Sequence, residues 1–291
     1  MPYAILPEDE TLKAALRRIA QEEAEGALAE VRGTGPLAPR VHAMRKTVKK
    51  LRGLLRLVRP VFPEAKAENA VLGEAGRGLS DLRDAAVQLA TVQRLSEGMP
   101  PDRRDRLLAP FQDAASRQDS EAAPRLLPAF AAAMASLRDR SQAWTLEADG
   151  WDALEPGLEA TWAAARKGLR AARGKPSEDD LHEWRKRVKD HWYQARLLRP
   201  IWPAQMDPHV AAADELGELL GQVNDLAVLR DRLEAAPLDE GLRSEARDLC
   251  SLRHAALMAE ALPLGRRLLA GPAEGLADRW GAWWKLRHDP A

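Results

Sequence analysis

The chain has 291 residues, with 44 Lys+Arg against 44 Asp+Glu, and apolar residues make up 45% of it. That apolar share can bury a core, which excludes a disordered chain, and zero net charge excludes a protein that is basic all over, such as a non-specific nucleic-acid coat. A local basic patch balanced by acid elsewhere stays open.

The text is rich in Leu, Ala, Arg and Glu, which favour helix, and no alternating β-branched run marks a strand. Taken in chain order, periodicity and Pro/Gly punctuation predict helices over roughly 9–32, 38–59, 66–97, 102–116, 122–147, 152–173, 178–199, 207–235, 240–270 and 273–287. Gly33, Gly35 and Pro36 part the first two, and Pro60 and Pro63 end the second. Ser177 followed by Asp180 reads as a capping box, with Asp in place of the usual Glu. Pro200 and Pro203 end the seventh helix. The stretch 147–150 divides the chain into halves, 1–147 and 148–291. All nine Trp lie from Trp144 onward, so the halves pack with different side chains. The one cysteine, Cys250, forms no intrachain disulfide. The first ten residues turn acidic before an apolar region develops, and the most apolar run, 128–137, is about half a membrane span. A cytoplasmic protein without a membrane segment is the expectation.

The halves repeat each other. Val41-His42-Ala43-Met44-Arg45-Lys46-Thr47-Val48-Lys49 answers Leu181-His182-Glu183-Trp184-Arg185-Lys186-Arg187-Val188-Lys189 at an offset of 140. Over 41–63 and 181–203, ten of 23 positions are identical. A fainter echo at an offset of 141 pairs 79–87 with 220–228. Such a period is too long for a solenoid and suits a duplicated helical bundle with pseudo-twofold symmetry.

On a helical wheel, Val41, Met44, Val48, Leu51, Leu55 and Val58 form one core stripe, and Leu181, Trp184, Val188, His191, Ala195 and Leu198 the other. Beside each runs a basic arc: His42, Arg45, Lys49 and Arg56 in the first half, and His182, Arg185, Lys189 and Arg196 in the second. Arg52 and Arg59 lie on the core side of the first arc and Lys46 on its far side. A solvated helix face is the bland reading of such a charge run. Two facts weigh against it. Residues 41–63 hold seven Lys/Arg and no acid, so like charges repel where a solvated helix would alternate sign. The same four residue types also recur in the second half, whereas neighbours such as Lys50 and Asp190 do not match. Two such helices facing each other would line a basic groove for an anion. Arg gives bidentate forks to phosphate oxygens, Lys mobile point charges, and His either a hydrogen bond or a further charge. The helix length, roughly 25 Å over seventeen residues, suits an extended polyanion. No aromatic interleaves the first arc, and Tyr193 is the one stacking candidate in the second. His191 and His209 read as packing, and His254 and His288 are unassigned.

Nothing argues for catalysis or a metal site. Gly174-Lys175-Pro176-Ser177 lacks the other parts of a P-loop, and His182-Glu183 has no second His at zinc spacing. In Glu8-Asp9-Glu10-Thr11-Leu12-Lys13 the Lys falls one residue late for ExExK. Asp179 and Asp180 read as helix-capping residues rather than a metal motif.

The duplicated His-x-x-Arg-Lys-x-Val-Lys helix, followed in each half by Leu-x-x-x-(Arg/Asn)-Asp-x-Ala-Val, resembles the CHAD family, the conserved-histidine α-helical domains. The likeness runs from about residue 8 to 288. It implies an all-α fold, two antiparallel helical bundles related by a pseudo-twofold axis and forming one duplicated domain. It also implies a central basic cavity that binds inorganic polyphosphate without catalysis or cofactor, and an association with polyphosphate granules. The family's basic motif falls on His42, Arg45, Lys46, Lys49, Lys50, Arg52 and Arg56, then on His182, Arg185, Lys186 and Lys189. The second copy departs from the family's Lys-x-x-Arg-Tyr-x-x-Glu: Trp192 replaces the Arg and Arg196 the Glu, while Tyr193 matches. Arg196, repeating Arg56, is expected to compensate. A nucleic-acid-binding helical protein is the second reading of the same arcs. A metal-dependent phosphohydrolase is the third, and it needs a metal site the sequence does not show.

Overall fold

The computed structural model describes residues 3–79 and 84–287, and all their side chains but those of 117–125. Among the described residues the fold is all-α, with no strand. In chain order it runs α1 (Leu12–Arg32), α2 (Leu37–Leu57), a 3-10 turn (Arg59–Val61), α3 (Ala65–Gly78), α4 (Asp84–Leu95), α5 (Pro101–Ser141), α6 (Gly150–Ala172), α7 (Glu178–Leu198), a second 3-10 turn (Arg199–Ile201), α8 (Pro203–Ala235), α9 (Glu240–Leu268) and α10 (Ala273–Leu286). No helix of the described residues is long and apolar enough to cross a membrane.

The starts of the helices follow local chemistry. Thr11 Oγ1 accepts from the Ala14 N–H, and Asp239 caps α9 by accepting from Leu242. Ser177 and Asp180 form the expected capping box, each side chain bonding the other's backbone N–H. Asp149 accepts from both Gly150 and Leu12, so one carboxylate caps α6 and ties α1 to it.

Three boundaries differ from the sequence reading. The two helices expected over 102–116 and 122–147 are one, α5, which packs along α1, α3 and α4. It buries Leu107, Phe111, Phe130, Met134 and Leu137, so support from both flanks carries the helix through the intervening stretch. The helix expected over 66–97 is seen as α3 and α4, and 80–83, part of the fainter echo, lie outside the described residues. Pro203 opens α8 rather than preceding it by a loop, since a first-turn proline forfeits no intrahelical bond.

Both core stripes are buried along their whole length, from Val41 to Val58 and from Leu181 to Leu198. One hydrophobic cluster runs through both halves of the chain. The Trp-rich half fits by leaving glycine opposite its largest rings. A Cβ on Gly168 would lie 2.8 Å from Trp184 Cα, and one on Gly265 would lie 2.7 Å from Trp184 Cζ2. The first half places Met44 at the corresponding position. The repeats α2 and α7 are each 21 residues long, and each runs on into a 3-10 turn. They cross closely at Gly53, where a Cβ would come within 2.7 Å of Tyr193 Cβ. The N-terminal segment seals that crossing. Tyr3 donates to the Lys50 carbonyl at 2.8 Å, and the Ile5 N–H donates to the Leu197 carbonyl at 2.8 Å.

At Gly157, α6 meets the end of α2 backbone to backbone, and a Cβ would sit 1.8 Å from the Leu57 carbonyl oxygen. No side-chain movement can relieve that overlap. Gly157→Ala is therefore expected to cost about 3 kcal/mol or more, read as a lower urea midpoint, whereas Gly26→Ala, facing open space on α1, should leave the midpoint equal or higher.

Candidate functional site

The basic arcs of α2 and α7 meet at a cavity of about 640 Å3 whose other walls are α4 and α8. α2 supplies Ala38, His42, Arg45, Lys46 and Lys49, and α7 supplies Arg185, Lys189, Trp192, Tyr193 and Arg196. α4 adds Ala86, Val87, Ala90 and Arg94, and α8 adds Asp214, Glu218, Gly221, Gln222 and Asp225. The wall thus holds seven Lys/Arg against three carboxylates.

Small residues make the room. Ala86 and Ala90 leave space along α4. On α8, a Cβ at Gly217 would lie 2.7 Å from Lys189 Cδ, and one at Gly221 would lie 3.6 Å from Arg185 Nε. Two glycines one turn apart therefore let the long cationic chains of α7 cross α8 at close range.

Aromatic rings steer two of the cations. Lys189 Nζ lies 4.4 Å from the Trp192 ring centroid. The Arg196 guanidinium sits between two rings, 4.9 Å from Trp192 and 5.5 Å from Tyr3. Such contacts are worth about 0.5–2 kcal/mol. Arg196 Nη1 and Trp192 Nε1 are buried without a hydrogen-bond partner among the described residues. Lys189 also donates to Glu218 at 2.7 Å and to Asp214 at 3.1 Å.

Of the sequence-derived candidates, His42, Arg45, Lys46, Lys49, Arg185, Lys189 and Arg196 line this cavity. The remaining five do not. Lys50 points to α1 and pairs with Glu23 at 2.5 Å. Arg52 donates to Asn69 Oδ1 at 3.0 Å. Arg56 pairs with Asp190 of α7, and burial, with Arg187, Arg52 and Arg59 nearby, pulls its pKa down to about 10. His182 Nδ1 is hydrogen-bonded to Asn224 Oδ1 at 2.6 Å, tying α7 to α8. Lys186 pairs with Glu183 on its own helix. Lys46 faces two ways, since it also edges a smaller cavity of about 280 Å3 walled by Glu22, Glu23 and Glu30.

The sequence reading missed Arg94, Asp214 and Glu218, which no local periodicity marks as facing the arcs. Gln222 and Asp225, like Ala86, Val87 and Gly221, belong to the fainter echo, and that was their only signal. Trp192 stood out as a departure from the expected motif, and its ring faces the two cations.

His191 and His209 take the packing role expected of them. Their Nε2 atoms lie 2.7 Å apart, His191 stacks on Trp280 and His209 on Trp162.

Comparison with known proteins adds the following. The family model described as CHAD domain matches residues 10–234. The chain is also similar to the crystal structure of the CHAD domain from the plant Ricinus communis. That match has a TM-score of 0.64 and 21% identity, and covers 93% of this chain and 96% of that chain. At this identity the second likeness is one of fold, and at 93% of the chain it covers more than the family match over residues 10–234 does. No curated protein matches the chain.

The histidine pair generates a pH dependence. Burial, with each ring's charged neighbours, depresses both pKa values. His191 is held far below the usual range by burial and by His209, and His209 is held at about 4 by burial and by Arg279. Unfolded, both rings titrate near ~6.5. The folded state binds fewer protons between those values, so stability is full above pH ~6.5 and falls as pH drops toward ~4. Urea midpoints should fall between pH 7 and pH 5 by the equivalent of roughly 2 kcal/mol per ring. His209→Gln should shrink that drop, and an equal drop in the variant would assign the effect elsewhere.

Proposed function

The chain belongs to the CHAD domain family, and from that premise we propose that it binds inorganic polyphosphate, without turnover, in the cavity between α2 and α7. The observation that carries the reading is the convergence of seven Lys/Arg side chains on one 640 Å3 space. Residues 1–147 and 148–291 are read as two pseudo-twofold-related halves, each bringing one cationic helix to the shared site. Lining residues on α2 run from Ala38 to Lys49 and on α7 from Arg185 to Arg196. Each set spans eleven residue steps, about 16 Å of helix, which suits several consecutive phosphates.

The ligand-binding set in this reading is His42, Arg45, Lys46, Lys49, Arg185, Lys189 and Arg196, with Arg94 added from α4. In this reading Arg196 compensates for the Arg absent at position 192, its guanidinium packed against the Trp192 ring. The aromatic wall does not favour nucleic acid. Base stacking needs an open ring face, and the cations Lys189 and Arg196 both pack against Trp192. A cytoplasmic location on polyphosphate granules belongs to the same reading.

Long-chain polyphosphate should bind the wild-type protein with a steep salt dependence, because each neutralised phosphate releases counterions at a slope of about 0.7–0.9. Arg45→Glu/Arg185→Glu, checked for folding by circular dichroism, should weaken binding by at least ~100-fold. Equal binding by the double variant would remove the cavity from the reading. Single-stranded RNA at equal phosphate concentration should fail to displace polyphosphate, and no phosphate should be released with Mg2+ or Mn2+ present.

A further inference from the structure

Lys189 does not stand open in the cavity. Its ammonium is held by two carboxylates of α8, Glu218 at 2.7 Å and Asp214 at 3.1 Å. These acids are four residues apart, so they share one face of the helix, and both line the cavity. Glu218 feels more than its direct partner. Burial raises the pKa of its carboxyl, but the hydrogen bond from Lys189 and the charges of Lys189, Arg185 and Lys49 outweigh that and hold it below the ordinary range. Lys49 comes from one basic arc and Arg185 and Lys189 from the other, so a single carboxylate sits in the field of both. Its side chain is 70% exposed while that of Lys189 is 17% exposed. An acid on the open side thus reaches toward a cation that packing holds in place.

We propose that Asp214 and Glu218 are built-in counter-anions of the polyphosphate cavity: they hold Lys189 in the free protein, release it to the ligand, and so discriminate against anions too short to replace them. This rests on the polyphosphate reading above and concerns how the same site selects its ligand. A tethered carboxylate competes at a high effective concentration, so a small phosphate compound must displace it with few contacts of its own. A long chain brings neighbouring phosphates to Lys49, Arg185 and Arg196 at once, and the cost of displacing two carboxylates is spread over many contacts. Selection then comes from a competing element as much as from an attractive one.

The test measures calorimetric affinities for tripolyphosphate and for long-chain polyphosphate. The proteins are wild type, Glu218→Gln, Asp214→Asn/Glu218→Gln, and the control Glu240→Gln/Glu245→Gln. The control changes net charge as much as the double variant, but its two residues do not line the cavity. Tripolyphosphate affinity should rise about tenfold in the double variant and about threefold in Glu218→Gln, with a steeper salt slope. Long-chain affinity should change less, so the ratio of the two affinities narrows, while the control leaves the ratio unmoved. Glu218→Gln, at an exposed position, keeps the test readable if the double variant folds poorly. An unchanged ratio in both cavity variants, or an equal narrowing in the control, overturns the proposal. Failure of the wild-type protein to bind long chains would instead overturn the polyphosphate reading beneath it.

Discussion

Like charges share one space in this protein, and the apolar packing behind them keeps them there. α2 and α7 each carry a buried stripe beside a cationic one, and they cross tightly at Gly53 and Tyr193. Burying one large apolar side chain contributes about 1.5–3 kcal/mol, and each stripe buries several. Two part-solvated cations 4 Å apart repel by about 1–4 kcal/mol, depending on the local dielectric. The packing term therefore exceeds the repulsion of any one such pair, so the fold can hold several cations around one space.

The acidic residues that balance the composition are placed where they silence particular cations. Arg56 meets Asp190, Lys50 meets Glu23, and Lys186 meets Glu183. Within the cavity, the carboxylates of α8 leave the cations in the majority. Segments 41–63 and 181–203 hold seven and six Lys/Arg, the latter with two acids, so the remainder of the chain is net acidic by eleven. Only part of that charge reaches the cavity, whose lining holds seven Lys/Arg against three carboxylates, so zero net charge combines a cation-rich cavity with a net acidic remainder.

Much of the fold was legible because helix periodicity and capping are local. The two core stripes are buried as read, and the Ser177–Asp180 box forms as read. The continuity of α5 was not legible, because helices against it on both flanks support a stretch that is unpromising by propensity alone. The start of α8 was misplaced because Pro203 can either end one helix or begin the next, and only the chain path decides which. Two of the cavity's four walls were marked strongly, and the other two only by the fainter echo, whose Ala86, Val87, Gly221, Gln222 and Asp225 line it. α2 and α7 announce themselves by repetition, whereas Arg94, Asp214 and Glu218 belong to helices whose charges look like ordinary surface.

The sequence by itself determined an all-helical chain, two repeated helices, and the angular position of each basic residue about its own helix axis. Only the tertiary structure decided what stands opposite at each height along that axis. Arg56 and Arg196 occupy the same repeat position, yet Arg56 meets the carboxylate of Asp190 while Arg196 lines the cavity between Trp192 and Tyr3. Helical periodicity is a property of one chain segment. A cation's partner is set by whichever other segment the core packing brings within a few ångströms, and that relation is not written in either segment alone.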